Sequence, residues 1–159
     1  MLFIQSEVKV SPIAQQGLFT TQFIKKGTIV GVFTVGIQII EEKDYNKAQE
    51  KGDDMMIRTG ARYVGKYFLH KDKIENEEYL NHSPNPNILY HCGVLFAIRD
   101  IQSGEELCAN YQYIFAHDDA TKFNDTETGN DVNGLPPLAA LKQSTGELAK
   151  LLYDIDELL

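Results

Sequence analysis

The sequence predicts a mainly β domain with short helices, followed by a C-terminal helix. Three observations carry that expectation. The first ~110 residues hold many short runs rich in Val, Ile, Phe and Thr, separated by turn residues. No long amphipathic helix alternates with those runs, which excludes a doubly wound α/β arrangement. Beyond Phe115 the composition becomes polar and turn-rich, and the chain then closes on a run with helical spacing.

The elements follow in order. GLFTTQFIKKGTIVGVFTVGIQII (17–40) reads as strands broken by Gly27, Gly31 and Gly36, with a turn at Lys25-Lys26-Gly27. EEKDYNKAQEKGDD (41–54) is polar and suits a short helix. Strands are expected again at MMIRTG (55–60), ARYVGKYFLH (61–70) and GVLFAIRDI (93–101), before a turn at Gln102-Ser103-Gly104. Leu107, Ala109 and Tyr111 alternate with Cys108 and Asn110, as in a strand entering a core. Residues 116–137 read as a polar linker or mobile loop. Residues 138–159 read as an amphipathic helix, with Ser144 and Glu147 spaced as a capping box. Its apolar face would be Leu148, Leu151, Leu152, Ile155 and Leu159. That face can pack on its own domain, join a second copy in a homodimer, or cover a site, and packing on its own domain is the plainest expectation. No internal repeat is found.

Composition narrows the function. The 159 residues suffice for one domain with a core. The formal net charge is -8. Nucleic acid is therefore not expected as a direct partner, because phosphate neutralisation needs clustered Lys and Arg. An acidic surface favours encounter with a basic, lysine-containing protein or peptide, although acidity also serves plain solubility. No apolar run is long enough to span a bilayer, so no membrane is expected. The N-terminal residues lack the pattern of a signal peptide. Cys92 and Cys108 are the only cysteines. They make neither a disulfide framework nor a zinc spacing, so no metal is expected, and an intracellular, cytoplasmic or nuclear, setting is the simplest inference.

Two stretches stand apart: YLNHSPNPNILYHCG (79–93) and GEELCANYQY (104–113). Pro84 and Pro86 favour extended backbone around Asn85, which makes a stiff non-helical loop presenting Asn81, His82 and Ser83. Alone, that triplet reads as a surface turn bonding its own backbone. A Ser–His hydrolase is disfavoured, since adjacent side chains do not pair as nucleophile and base and no GxSxG elbow is present. No phosphate-binding loop is present either. Alone, Tyr111 and Tyr113 read as half-buried packing residues.

Together the stretches say more. Asn-His-Ser-x-x-Pro-Asn at 81–87, then Gly-Glu-Glu-Leu-x-x-Asn-Tyr at 104–111, resembles the SET-domain protein lysine methyltransferases. SPIAQQGLFTTQFIKKGTIVG (11–31) is similar to that family's opening loop and strand. The resemblance covers residues 1–115, in a minimal member without cysteine-rich flanks. It implies small β-sheets around a pseudoknot, in which the segment holding the catalytic Tyr threads a loop near the Asn-His pair. It also implies S-adenosyl-L-methionine as cofactor and methylation of a lysine in a histone, ribosomal or other basic protein. A catalytically degenerate SET domain that only binds such a protein is the alternative.

By match, Tyr111 is the catalytic tyrosine, and Tyr90 limits the room around the amine. Gln16, Gly17, Leu18, Asn81 and His82 would bind the cofactor. Tyr113 and Phe115 would wall the substrate channel, and a residue such as Phe123 or Tyr153 in the C-terminal part would complete it. Tyr63 and Tyr67 are expected in core or sheet. The chemistry needs a neutral amine, which a narrow apolar channel favours by desolvation, aligned for in-line attack. The sequence departs from the family at Gln15, where a loop glycine is usual, and at Glu78, where a basic residue is common.

Overall fold

The computed structural model describes residues 1–33, 36–117, 119 and 123–156. They form small sheets, in the manner of a SET fold, with short helices and a helix at the C-terminal end. β1 (Ser6–Lys9) pairs antiparallel with β2 (Gly17–Thr20). β3 (Ile29–Val32) and β4 (Ile37–Glu41) lead into α1 (Glu42–Glu50) and α2 (Asp54–Thr59). β5 (Ala61–Val64) and β6 (Tyr67–Lys71) pair with β4 in the order β4-β6-β5.

β7 (Asn81–His82), β8 (Ile88–His91), β9 (Val94–Ala97) and β10 (Cys108–Ala109) then complete a five-stranded sheet, ordered β3-β9-β8-β10-β7. The β8–β9 turn sets Cys92 at φ 49° and Gly93 at φ 81°, the paired positive φ values of a tight hairpin turn. β11 (Phe123–Asn124) and β12 (Asp131–Val132) form a small hairpin, and α3 (Pro137–Asp156) follows.

The order of the large sheet contains the threading. β7 and β8 are consecutive in sequence, yet β10 lies between them, parallel to both. The intervening loop is bonded to β10 at both ends: Ser83 N donates to Ala109 O and Asn87 N to Cys108 O. Asn87 also closes the loop with its side chain, donating to Glu106 O and accepting from Cys108 N, each at 2.8 Å. The chain at 106–109 thus passes through the loop formed by residues 83–87. The core gathers around this passage, with Leu18, Ile88, Leu95, Ile101 and Leu107 fully buried.

Three expectations are corrected. Residues 55–60 fall mostly in helix α2 rather than a strand, because Asp53 caps it by accepting from Met56 N at 3.0 Å. Tyr111 does not continue a strand: Asn110 accepts from Gln112 N and starts a 3-10 turn over Tyr111–Tyr113. Ser144 and Glu147 do not cap α3, which begins at Pro137, a residue well suited to a first helical turn.

Helix α3 packs on its own domain through Ala140, Ser144 and Leu151, with Leu148 partly buried against the core, while Leu152 stays exposed. Its expected partner on the apolar face, Leu159, lies outside the described residues. No helix among the described residues is long and apolar enough to cross a membrane.

Candidate functional site

The threading brings residues 79–87 beside 106–113, and a polar node forms where they meet. The Asn81 amide donates to Glu106 Oε1 at 2.7 Å and to Gln16 O at 2.9 Å. The Ser11 hydroxyl lies 2.8 and 2.9 Å from the two Glu106 carboxylate oxygens. Gly17 has the shape this node requires: a Cβ there would lie 2.1 Å from Glu106 Oε1 and 2.9 Å from Asn81 Nδ2. Leu18 is fully buried, and its carbonyl accepts from Leu107 N at 2.7 Å. Gln16, Gly17 and Leu18 therefore meet the node through backbone and space. Ser11 and Glu106 were not singled out in the sequence, although both sit inside the motif-bearing stretches.

One residue further on, His82 joins an aromatic cluster. Its Nδ1 accepts from Tyr111 N at 3.1 Å, which places the proton of the neutral ring on Nε2, 3.4 Å from Asp125 Oδ2. Burial lowers the imidazole's pKa, and the Asp125 charge works against that shift. The Tyr111 ring lies 5.4 Å from His82, 4.7 Å from Phe115 and 5.3 Å from Phe123. Phe123 arrives on the β11–β12 hairpin, inside the stretch read as a linker or loop. Ser83 donates to Glu127 of the same excursion.

The Tyr111 hydroxyl donates to Leu80 O at 2.7 Å. Burial drives the phenol's pKa upward, so it stays a neutral donor. Tyr111, Leu80 and Phe115 line a cavity of about 190 Å³, together with Arg58, Thr59 and Glu78. Behind it sits a charged cluster that the sequence did not reveal. Lys71, 2% exposed, donates to Glu77 and Glu75 and lies 2.8 Å from Glu78 Oε1. Burial opposes the Lys71 charge, but the carboxylates of Glu77 and Glu78 prevail and raise its pKa. Glu78 Oε2 accepts from Glu75 N at 2.7 Å, capping the 3-10 turn Asn76–Tyr79. Glu78 Oε1 has no hydrogen bond among the described residues and meets the Lys71 ammonium through charge. Burial raises the Glu78 pKa, against the pull of Lys71.

Tyr90 and Tyr113 face elsewhere. Tyr90 is buried and donates to Arg62 O, and Tyr113 is buried and donates to Glu147 of α3. The space between them, bounded also by Cys92, Ala140 and Ser144, is about 10 Å³, at the lower limit for one water. His91 Nδ1 and Ser144 Oγ, 2.9 Å apart, hold the helix down beside it. The two residues expected to wall one channel thus line different spaces, Phe115 the open cavity and Tyr113 the filled one. Tyr153 is 75% exposed on α3 and touches neither. Tyr63 and Tyr67 lie in β5 and β6.

Comparison with known families matches the SET domain over residues 15–112. No curated protein matches the chain. The matched span holds the Gln16–Leu18 loop, the Asn-His pair, the threaded segment and Tyr111. The chain belongs to the SET-domain family.

Proposed function

We propose that the protein is an S-adenosyl-L-methionine-dependent protein lysine N-methyltransferase acting on a basic protein, of the histone, ribosomal or another lysine-rich kind. The observation that carries this reading is the placing of Tyr111. Its hydroxyl is anchored on Leu80, its backbone on His82, and its ring lines a cavity. The oxygen-bearing groups there suit a cation: the Leu80 carbonyl and the Tyr111 hydroxyl offer partial negative charge. The cofactor supplies an electrophilic methyl group on a sulfonium. The protein's own residues do the rest. Apolar Phe115 and Ile114 exclude water and favour a neutral amine. Tyr111, locked by two hydrogen bonds, offers a fixed oxygen for orienting it. Asn81 and His82, held by Glu106 and the Tyr111 amide, present a rigid edge for the cofactor. The net charge of -8 favours encounter with a basic substrate.

One observation favours a second reading, a SET domain that binds a basic protein without catalysis. The space between Tyr90 and Tyr113 is filled and covered by α3, which leaves no channel for a lysine on that side. Calorimetric titration with S-adenosylmethionine, followed by transfer of a labelled methyl group to core histones or polylysine, separates the two. Saturable one-to-one binding and labelled product support the enzyme. Peptide binding without any cofactor binding, from folded protein, supports the binding module and overturns the first reading.

A further inference from the structure

Glu78 stands where the family commonly carries a base, and its surroundings already occupy it. One oxygen caps the turn at Glu75, and the other faces Lys71. Lys71 is in turn shared among Glu75, Glu77 and Glu78. Neither residue offers a cation to a ligand in the adjoining cavity.

The cavity has another. Arg58 lies in the last turn of α2, is exposed and lines the cavity, and its side chain makes no ion pair or hydrogen bond among the described residues. Its base is fixed by neighbours. The Thr59 hydroxyl lies 2.9 Å from Met55 O and 3.0 Å from Lys71 O and accepts from Lys71 N, and a Cβ on Gly60 would lie 2.2 Å from the Tyr45 ring. The guanidinium is therefore carried by a positioned turn rather than a free loop.

Size and lining indicate what the cavity takes. At about 190 Å³ it is smaller than complete small-molecule sites, which run ~300–1,000 Å³. It can hold one end of a larger ligand. Its walls combine apolar Phe33, Ile57 and Leu80 with one cation, Arg58, while the carboxylates of Glu77 and Glu78 on the same wall are taken up by Lys71 and, for Glu77, by the Met1 ammonium. That combination fits a short aliphatic chain ending in a carboxylate. A flat nucleoside is better suited to ring faces such as those grouped at His82, Phe115 and Phe123.

We propose that Arg58 binds the α-carboxylate of the methyl donor, with the donor's amino-acid end lodged in the cavity beside Tyr111. This rests on the methyltransferase reading. Arg58 then takes over the charge that Glu78 does not provide, and its planar fork matches a carboxylate with two parallel bonds.

The test is calorimetric titration of the whole chain with S-adenosylmethionine and with its decarboxylated form, which lacks only the carboxylate. The wild type is expected to prefer the carboxylated ligand by roughly ten- to a hundredfold, the range for a hydrogen-bonded charged pair. Arg58→Met should erase that preference while the unfolding midpoint stays close to wild type. Arg58→Lys, a point charge without the fork, should keep part of it. A wild type without preference, or an Arg58→Met variant that retains it, overturns the assignment and leaves the methyltransferase reading standing. A folded wild type that binds neither ligand overturns both. Loss of peptide affinity alone in Arg58→Met would overturn it too, and would place Arg58 in contact with the protein substrate.

Discussion

The Tyr111 hydroxyl donates to the carbonyl of Leu80 at 2.7 Å, across 31 residues of chain. The Tyr111 N–H donates to His82, two residues beyond Leu80. One tyrosine is therefore fixed at both ends by a single short run, so its oxygen has little freedom. Tyr111→Phe keeps the ring contacts and removes the anchored oxygen. Methyl transfer should fall on the order of ten- to a hundredfold or more, with a stability loss of about 1 kcal/mol. Turnover equal to wild type, measured with labelled donor, would remove Tyr111 from the mechanism.

Asn81→Ala should weaken cofactor binding and also destabilise the protein, by about 1–3 kcal/mol, because Glu106 loses a buried donor. The two effects separate by comparison with Ser11→Ala, which takes a different donor from the same carboxylate. Calorimetry on both variants decides. If Ser11→Ala weakens the cofactor as much as Asn81→Ala does, Asn81 acts only by holding the node.

Tyr90→Phe leaves Arg62 O without the tyrosine hydroxyl and frees space around the ring. Because Tyr90 borders the filled space rather than the Tyr111 cavity, the product mixture should stay as in the wild type, with a cost of about 1 kcal/mol in stability. Mass spectrometry of the methylated substrate reads the outcome. A shift toward higher methylation would instead place Tyr90 at the amine.

His82 and His91 both have pKa values lowered by burial. The unfolded chain then binds more protons than the folded one just below the ordinary histidine value of ~6.5, so stability rises with pH there. The unfolding midpoint should accordingly fall as the solution is acidified from neutrality through pH ~6.5 and below, until the folded-state values are passed. Resonances of both imidazoles should titrate below ~6.5 in the folded protein. A His82 titration above that value would show that Asp125 outweighs burial.

Glu147→Gln should loosen α3 over Tyr113. The carboxylate acceptor becomes a neutral amide, and the cost is about 1 kcal/mol. Amide exchange should quicken in α3 while the sheet is unaffected. If α3 is as protected as in the wild type, the Ser144 contact and Leu151 burial suffice to hold it.

Much of the fold was legible because local signals agreed with it. Gly27 marked a turn, and the Asn-His and Glu-Glu-Leu stretches marked the site. The crossing itself was not legible from local pattern. β10 is two residues long, and a parallel pairing that short leaves no periodicity; the family resemblance supplied it. Helix α2 was missed because six residues are too few to show a helical period. The β11–β12 hairpin was hidden by its polar composition, and only Phe123 hinted that the excursion has an inner face. The Lys71 cluster was invisible for a different reason: its members are ordinary charged residues until folding brings β6 and the Asn76–Tyr79 turn together.

The passage of residues 106–109 through the 83–87 loop also constrains how the chain can be assembled. During synthesis the loop emerges before the segment that fills it, yet its two ends bond mainly to that segment. It cannot reach its native shape alone. Loop and thread must order together, and their contacts span some twenty residues or more, which slows folding relative to local pairing. The same dependence makes the site an indicator of complete folding: an intermediate lacking the thread would also lack the placement of Tyr111 beside Leu80 and His82.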